Sequence, residues 1–317
     1  MEYIKLGTSD LEVSRICFGC APMGGYDYGD VDDELSVKAV HYAIDHGVNF
    51  FDTASIYGFG RAESVLSKAL EGKRKDVVLA TKGGLRRTEK TIIPDLSPVF
   101  LRTDIENSLK RLKTGHIDLY QLHYPDPKVP VSTYASVLHE FIKLGKIRYV
   151  GLSNYPISEV RKVLEVLPTV CLQLPYNPLQ RVLEIEGIPA LCQENSLGLI
   201  THSSLARGYL SGKVYSGNDF KGSDTRPRST YFSDTEKQAK EPVLAVVKDI
   251  ALRRGKSPAQ VAVRWLLDKP FVSSAIVGVR SPKQIEDILL SCHWHLSNEE
   301  MSDLNDVSDF FRSHPLY

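Results

Sequence analysis

The sequence predicts an α/β protein and, within that class, a single (β/α)8 barrel that spans residues 1–317. Short apolar runs alternate with longer stretches of helical period along nearly the whole chain, and eight such runs are present. The runs are almost continuously apolar, as expected of parallel strands that are buried on both faces. A length of 317 residues suits one large barrel, and no linker marks a second domain.

Each predicted strand is a short run of β-type apolar residues. The runs are RICFGC (15–20), VNFFDTA (48–54), VVLATK (77–82), IDLYQLH (117–123), IRYVGLSN (147–154), VCLQLPY (170–176), GLITHSS (198–204) and SSAIVG (273–278). In a barrel of parallel strands, the residues at the strand C-termini meet at one mouth. We therefore expect any functional site among the residues that end these runs.

Amphipathic stretches separate the strands, and we predict that they form the outer helices. They include DELSVKAVHYAIDHG (33–47), AESVLSKALEG (62–72), FLRTDIENSLKRL (100–112), YASVLHEFIKLGK (134–146) and SEVRKVLEVL (158–167), with SNEEMSDLNDVSDFF (297–311) after the last strand. Gly47, Gly72 and Gly145 end three of them, as glycine often does at a helix C-terminus.

Two further segments modify the repeat. Residues 3–16 hold GTSD between two short runs, which predicts a β-hairpin that closes the bottom of the barrel. Residues 205–241 are long, polar and rich in Gly, Ser, Asp and Arg. A loop of that length is usually a functional lid or is disordered. Because it follows the seventh strand, we expect it at the C-terminal face.

Composition excludes several classes of function. Lys plus Arg equals Asp plus Glu at 39 each, so no basic excess is available to bind nucleic acid. No apolar run approaches the roughly 18 residues of a membrane span, and the N-terminus lacks a signal pattern. An odd number of cysteines, 5, fits reduced thiols in the cytoplasm. Cys17 and Cys20 form a C-x-x-C, which we interpret as two small residues of the core or of a pocket wall rather than a redox or metal site.

The strand ends carry complementary polar groups. Asp52 ends the second strand with Tyr57 in the next loop, Lys82 ends the third strand and His123 ends the fourth. Singly, each has an ordinary structural interpretation, such as a loop cap or a solvated side chain. Four such groups at the ends of consecutive strands favour a shared site instead.

These residue types suit the reduction of a carbonyl group. A tyrosine hydroxyl has a reference pKa near 10, and a buried ammonium such as Lys82 beside it favours the phenolate. A buried ammonium needs a carboxylate partner such as Asp52. A neutral His123 can donate a hydrogen bond to a carbonyl oxygen. No side chain supplies a hydride, whereas a nicotinamide cofactor does.

The chain resembles the aldo-keto reductases. Within that family, the resemblance is to the bacterial type that includes NADP-dependent carbonyl reductases and sugar dehydrogenases. The motifs that carry the resemblance are FDTASIYG (51–58), ATKGG (80–84), LHYPD (122–126), GLSN (151–154) and HSSLARGYLSGK (202–213). The resemblance runs in order from residue 6 to residue 289 and implies a catalytic tetrad of Asp52, Tyr57, Lys82 and His123. Histidine at position 123, rather than the glutamate of the steroid double-bond reductases, implies carbonyl chemistry.

The resemblance also implies NADP(H) as the cofactor, bound without a Rossmann fold, and no G-x-G-x-x-G opens a helix here. Ser153, Asn154 and Gln173 would then hold the nicotinamide carboxamide, although Ser153 and Asn154 have an alternative interpretation as helix caps. The remaining cofactor contacts implied are His202 at the nicotinamide, Ser203, Leu205 and Arg207 at the pyrophosphate, and Gly278, Arg280, Gln284 and Asp287 at the adenosine end.

Arg280 would bind the 2′-phosphate, since a planar guanidinium suits phosphate recognition, or it would be a solvated residue beside a helix. The chain departs from the family pattern at four positions. His202 stands where the family usually has Tyr, Trp or Phe, Ser204 replaces a common Pro, Asp287 a frequent Asn, and Tyr124 a frequent Trp.

For the substrate, we predict an aromatic wall with a polar edge, formed by Tyr26, Tyr28, Phe59 and Tyr124. Such a wall suits a sugar, a keto-sugar or an aromatic aldehyde of the pyridoxal kind. The first hypothesis is an NADPH-dependent reductase of such a carbonyl compound. The second is a sugar dehydrogenase that oxidises a pyranose at C1. The third is a cofactor-sensing subunit of a larger assembly, as some family members are for potassium channels, although the intact tetrad weighs against it.

Overall fold

The computed structural model describes residues 1–89, 91–213, 220, 222–234 and 236–316. Its strands are β1 (Tyr3–Lys5), β2 (Glu12–Ser14), β3 (Ile16–Gly19), β4 (Phe50–Asp52), β5 (Val78–Gly83), β6 (Leu85–Arg87), β7 (Ile92–Pro94), β8 (Ile117–Leu122), β9 (Ile147–Ser153), β10 (Cys171–Pro175), β11 (Gly198–His202) and β12 (Ser274–Gly278). Eight of these strands, β3, β4, β5, β8, β9, β10, β11 and β12, form a closed parallel barrel. The predicted (β/α)8 barrel and all eight of its predicted strands are confirmed.

The helices pack around the barrel. They are α1 (Asp33–Asp45), α2 (Arg61–Ala69), α3 (Pro98–Leu112), α4 (Val131–Lys143), α5 (Ile157–Leu164), α6 (Ile188–Glu194), α7 (Lys237–Arg254), α8 (Pro258–Leu267), α9 (Pro282–Leu289) and α10 (Asn298–Val307). Shorter 3₁₀ turns lie at Ala21–Gly24, Tyr57–Gly60, Arg74–Asp76, Val182–Glu184, Ala206–Ser211, Arg226–Arg228, Leu290–His293 and Asp309–Arg312. Gly47, Gly72 and Gly145 all have positive φ angles, as expected just beyond a helix end.

The alternation of side chains along each strand separates two apolar layers. Outward residues such as Phe51 and Leu199 pack against the surrounding helices in the largest hydrophobic cluster. Inward residues such as Phe50, Leu119 and Ile200 form a second cluster inside the barrel. This inner layer fills the lower half of the barrel and leaves only its C-terminal mouth for polar groups.

The N-terminal hairpin closes the opposite end of the barrel, as the sequence predicts. Strands β1 and β2 pair antiparallel. Leu6, Leu11 and Val13 are fully or almost fully buried, and they pack in the same cluster as the inward residues of the barrel. Solvent therefore reaches the interior from the C-terminal face.

The segment after β11 differs from the predicted 37-residue loop, 205–241, because α7 already begins at Lys237. Positions 214–219, 221 and 235 of that predicted loop lie outside the described residues. The described part contains two of the 3₁₀ turns and crosses the barrel mouth to the loop that follows β3. Ser223 Oγ donates to the backbone oxygen of Gly25 at 3.1 Å, and the Thr225 backbone N–H donates to that of Asp27 at 3.3 Å.

One feature was missed, the small antiparallel hairpin of β6 and β7, which extends from the end of β5. Its residues lack a clean alternation of apolar and polar side chains, so no strand was predicted there. Among the described residues, no helix combines the length and apolar character that crossing a bilayer would require.

Candidate active site

Along several barrel strands, the side chains that point inward are apolar at first and become polar at the last inward position before the C-terminal mouth. Phe50 is followed two residues later by Asp52, and Leu119 by Gln121. The same step occurs in three other strands, where Lys82 follows Ala80, Gln173 follows Cys171 and His202 follows Ile200. Because residues two apart share a face of a strand, these polar groups converge inside the mouth.

A buried ion pair lies at the centre of this polar layer. Lys82 Nζ lies 2.5 Å from Asp52 Oδ1, and both side chains are at most 3% exposed. The same ammonium donates to the backbone oxygen of Thr53 at 3.0 Å and lies 3.3 Å from the Tyr57 hydroxyl oxygen. The structure therefore brings three of the four predicted catalytic residues into one hydrogen-bonded array.

The other carboxylate oxygen of Asp52 accepts two amide hydrogen bonds. The Nε2 atoms of Gln121 and Gln173 each lie 2.9 Å from Asp52 Oδ2, and Gln173 Nε2 also lies 2.9 Å from Gln121 Oε1. An ionised carboxylate only accepts, so both glutamines must turn their NH2 groups toward it. Gln173, which lines the cavity, is left with Oε1 as its free acceptor.

Sequence reasoning missed Gln121, although a signal was present. It is a polar residue in an otherwise apolar strand, and its register partner on β5 is Lys82. The rule of alternation that places Asp52 at the mouth places Gln121 there as well.

One pKa in the array differs from the expectation that a neighbouring ammonium lowers the pKa of a tyrosine. Burial raises the pKa of Tyr57 to about 12, although Lys82 acts in the opposite direction as predicted. Burial also disfavours the Lys82 ammonium, but Asp52 and Tyr57 outweigh it, so the pKa of Lys82 lies above its usual value. At neutral pH Tyr57 is therefore a protonated hydroxyl next to a fixed positive charge.

His123 completes the array at the end of β8. Its ring meets the Tyr57 ring edge to face, with 5.8 Å between centroids. Burial, with smaller contributions from Lys82 and His202, lowers the pKa of His123 well below its usual value. The imidazole is therefore neutral at physiological pH and has an N–H to donate.

The array opens into a cavity of about 460 Å³. Every predicted cofactor residue lines this cavity, namely Ser153, Asn154, Gln173, His202, Ser203, Leu205, Arg207, Gly278, Arg280, Gln284 and Asp287. Of the predicted substrate residues, Tyr28 and Tyr124 line it, whereas Tyr26 and Phe59 do not. Tyr26 and Phe59 instead pack against each other with centroids 4.9 Å apart, and the guanidinium of Arg87 covers the Phe59 ring at 4.0 Å.

Part of the cavity lining is cationic. Arg207, Lys213, Arg226 and Arg280 all line the cavity. Arg226 is buried and pairs with Asp224 at 2.6 Å. Lys213 and Arg226 were missed because they lie in the non-periodic segment after β11, where spacing in the sequence does not indicate spatial position.

Tyr28, predicted as part of the substrate wall, lies among these cations. The guanidinium carbons of Arg207 and Arg226 lie 5.4 and 5.9 Å from its ring centroid. Arg280 is half-buried and donates to the Tyr28 backbone oxygen at 3.0 Å, which favours the cavity interpretation over that of a solvated residue beside a helix. These contacts arise because the loop after β3 is held against the segment after β11, and the assignment of Tyr28 to the substrate wall stays a prediction.

Two local arrangements explain other residues of the lining. Helix α5 begins at Ile157 with Pro156 at its N-cap, so neither Ser153 nor Asn154 caps it. A Cβ atom on Gly278 would lie 2.9 Å from the Pro22 side chain, so this position accepts only glycine without movement.

Cys17 and Cys20 are fully buried thiols. Burial raises the pKa of each thiol well above its usual value, and their burial confirms them as core residues.

Comparison with known proteins agrees with the geometry. A profile described as the Aldo/keto reductase family matches residues 15–309. Aldo-keto reductase YhdN of Bacillus subtilis is 36% identical over 319 aligned residues, which cover 100% of this chain and 96% of the relative.

The chain belongs to the aldo-keto reductase family. It is therefore an oxidoreductase, and the resemblance seen in its motifs is confirmed. A Schizosaccharomyces pombe aldo-keto reductase, yakc, whose name carries NADP(+), is 28% identical over 305 residues, or 94% of this chain and 89% of that protein. The glycerol dehydrogenase AKR11B4 of Gluconobacter oxydans superposes with a TM-score of 0.86 at 32% identity, covering 99% of this chain and 97% of that one.

Within the aldo-keto reductase family, His202 is the departure with the most visible consequence. Its Nε2 lies 3.0 Å from Asn154 Oδ1, and its Nδ1 lies 3.1 Å from Ser203 Oγ. Burial and then Lys82 lower the pKa of His202 to about 3, so the ring carries no charge at physiological pH. Ser204, which replaces a common proline, donates to the backbone oxygen of Ile276 at 2.7 Å and ties this loop to β12.

Proposed function

We propose that this chain is an NADPH-dependent oxidoreductase that reduces an aldehyde or ketone to an alcohol. One observation carries the proposal: Tyr57, Lys82 and Asp52 form a buried array that opens, together with His123, onto a cavity whose lining includes several cationic side chains. The array is suited to proton donation, and the cavity to a long phosphate-bearing ligand.

Each residue of the array has a distinct task. Tyr57 donates its proton to the carbonyl oxygen, and Lys82 stabilises the phenolate that remains. Asp52 keeps Lys82 charged in a buried position. His123, as a neutral imidazole, donates a hydrogen bond that orients the carbonyl group. When bound, the nicotinamide supplies the hydride.

The polarity of the neighbouring amides supports a nicotinamide at this place. Asn154 Nδ2 donates to the backbone oxygen of His123 and to Ser153 Oγ, so Ser153 keeps its own hydroxyl hydrogen for a ligand. Gln173 presents Oε1, a free acceptor. One donor and one acceptor side by side complement the C=O and NH2 of a primary carboxamide.

The preference for NADP over NAD rests on charge. Arg207, Lys213, Arg226 and Arg280 line the cavity. Guanidinium groups bind phosphate well, and a 2′-phosphate adds negative charge that NAD lacks. The NADP(+) in the name of the yeast relative points the same way. The free thiols of the described cysteines fit a reducing compartment, for which we propose the cytoplasm.

A second candidate is the oxidative direction, with a sugar or polyol as substrate. The structural similarity to a glycerol dehydrogenase favours it. The chemistry of the array is the same in both directions, with Tyr57 then acting as the base. A purely regulatory role is disfavoured, since the array that proton transfer requires is complete.

The test is a substrate panel assayed in both directions. Small aldehydes, keto-sugars and aromatic aldehydes are offered with NADPH, and pyranoses and glycerol with NADP+, with absorbance of the reduced nicotinamide as readout. We expect turnover of at least one carbonyl compound, with NADPH preferred over NADH. A folded protein that turns over nothing in either direction would contradict the proposal, and faster turnover of alcohols would favour the second candidate.

A further inference from the structure

The His202 side chain belongs to a row of hydrogen bonds whose polarity follows from the structure. Asn154 Nδ2 lies 3.1 Å from the backbone oxygen of His123, which only accepts. The amide nitrogen of Asn154 must therefore face His123, and its Oδ1 must face His202. Because Oδ1 also only accepts, Nε2 of His202 carries the hydrogen.

The rest of the row continues in the same sense. A neutral imidazole with hydrogen on Nε2 has none on Nδ1, so Nδ1 accepts from Ser203 Oγ, 3.1 Å away. At the other end, Asn154 Nδ2 donates to Ser153 Oγ at 3.0 Å. Every bond of the row Ser203–His202–Asn154–Ser153 thus points toward Ser153. Aligned hydrogen bonds polarise one another, which strengthens the Ser153 hydroxyl as a donor.

Backbone conformation indicates independently that the surrounding structure holds this row of hydrogen bonds in place. Asn154 has φ of 59° and Ser203 has φ of 56°, both in the left-handed region that non-glycine residues rarely adopt. Such conformations persist where surrounding contacts hold them, and they cluster at functional sites. The two strained residues are the ones that His202 joins, across the ends of β9 and β11.

We propose that His202 is a positioning residue for the nicotinamide: it holds Asn154 so that the Ser153 hydroxyl points its hydrogen at the carboxamide oxygen. The inference rests on the proposed function, which supplies the carboxamide. A phenyl ring at position 202 would fill similar space and stack on a ligand, but it would leave Asn154 Oδ1 without its donor. The hydrogen-bonding capacity of His202, rather than its ring alone, is therefore the property that matters.

The test compares two ligands by isothermal titration calorimetry. NADP+ carries the carboxamide, whereas 2′-phospho-ADP-ribose lacks the nicotinamide and reports only on the remainder of the site. We expect His202→Phe to bind NADP+ about 10-fold more weakly, the order expected for one lost hydrogen bond, and to bind 2′-phospho-ADP-ribose as the wild type does. His202→Gln, which keeps an N–H donor, should recover part of the loss.

His139→Phe is the matched control, since His139 is an exposed histidine of α4 whose ring bonds to the backbone oxygen of Val166. It should bind both ligands as the wild type does. Melting temperatures establish that each variant is folded. Equal loss of both ligands in His202→Phe would overturn the proposal, because it would indicate a general disturbance of the cavity.

A double-mutant cycle with Ser153→Ala decides whether His202 acts through Ser153. If it does, the double variant binds NADP+ about as weakly as Ser153→Ala alone. Additive losses would overturn the proposal, and so would unchanged NADP+ binding in His202→Phe. A wild-type protein that binds neither ligand would instead reject the proposed function, so the two failures are distinguishable.

Discussion

Two parts of the cavity lining, here named the catalytic end and the cationic end, hold their polar groups in different ways. At the catalytic end, Asp52, Lys82 and Gln173 are almost fully buried on strands and bond to one another. At the cationic end, Arg207 and Arg226 lie on 3₁₀ turns of the segment after β11. The first end is fixed by the barrel itself, and the second by contacts between loops.

The difference matches the work that each end would do. Proton transfer needs groups held within a fraction of an ångström, which the strand ends provide together with the short turn after β4 that carries Tyr57. Binding and release of a long ligand need a part that opens, and loops provide that. Substitution of the buried charges at the catalytic end should therefore cost stability, whereas substitution at the cationic end should change affinity and the rate of ligand release.

The largest effect on stability is expected from Lys82→Met. Removing the ammonium leaves Asp52 as an uncompensated buried charge, which costs on the order of 3–5 kcal/mol in the free energy of unfolding. Lys73→Met is the matched control, because Lys73 pairs with Asp45 at 3.6 Å in a largely exposed position. Such pairs contribute roughly 0–1 kcal/mol. Urea unfolding of both variants measures the difference, and equal losses would contradict the comparison.

A somewhat smaller effect on stability is expected from substitution of Asp104, which hydrogen-bonds to the segments that follow β4 and β5. Its carboxylate accepts from the backbone N–H of Gly84 at 2.9 Å and from Ser55 Oγ at 3.2 Å. Burial raises the pKa of Asp104 to about 6 from 3.8. A carboxyl group whose pKa is higher in the folded chain stabilises the fold fully below pH 3.8, and that contribution is lost as the pH rises through about 6.

Asp104→Asn removes this titration. Relative to the variant, the wild type should lose on the order of 3 kcal/mol of unfolding free energy between about pH 4 and pH 7. Urea unfolding at a series of pH values gives the two curves. Parallel curves would show that Asp104 does not titrate in this range, and Asp303→Asn on the exposed side of α10 serves as the control.

At the cationic end, Arg280→Ala should weaken NADPH by about 10- to 100-fold, since a charge-assisted hydrogen bond contributes roughly 1.5–3 kcal/mol. NADH binding should change little, and the salt dependence of NADPH binding should flatten. Quenching of intrinsic fluorescence gives both dissociation constants. Arg253→Ala is the control, because this arginine pairs with Asp249 in an exposed part of α7. Equal weakening of both cofactors would assign Arg280 a structural role.

The smallest effect is expected where the segment after β11 crosses the loop after β3. Asp27 Oδ1 lies 3.1 Å from Thr225 Oγ1 in an exposed position, so Asp27→Ala removes one of the bonds that hold the crossing closed. We expect the rate constant of NADPH release to rise about 2- to 10-fold, the order for one hydrogen bond. Stopped-flow fluorescence measures it, with Asp303→Ala on the exposed side of α10 as control. An unchanged rate would indicate that the crossing does not limit release.

The same contrast explains what could be predicted from the sequence. Asp52, Lys82 and His123 end apolar strands, so alternation and strand order alone place them together. Gln121 follows the same rule and could have been predicted from it. Lys213 and Arg226 could not be predicted, because their positions depend on contacts between segments that are far apart in the chain. No local sequence pattern indicates such contacts.

Tyr28 and Phe59 make contacts that could not be predicted from the sequence, for a related reason. Both are aromatic residues in loops next to the mouth, and their residue type suggested a substrate wall. The chain turns Phe59 toward Tyr26 and Arg87, and it turns Tyr28 toward Arg207. Residue type near a site therefore predicted proximity, but not the direction in which the side chain points.

The central claim is that Tyr57, beside Lys82, donates the proton, and single-turnover kinetics of Tyr57→Phe test it most directly. The substitution removes the hydroxyl oxygen that lies 3.3 Å from Lys82 Nζ and keeps the ring. With a substrate of the wild type, we expect the rate of NADPH oxidation to fall by roughly 100-fold or more, with the dissociation constant of NADPH unchanged. A folded Tyr57→Phe protein that oxidises NADPH at close to the wild-type rate would contradict the account.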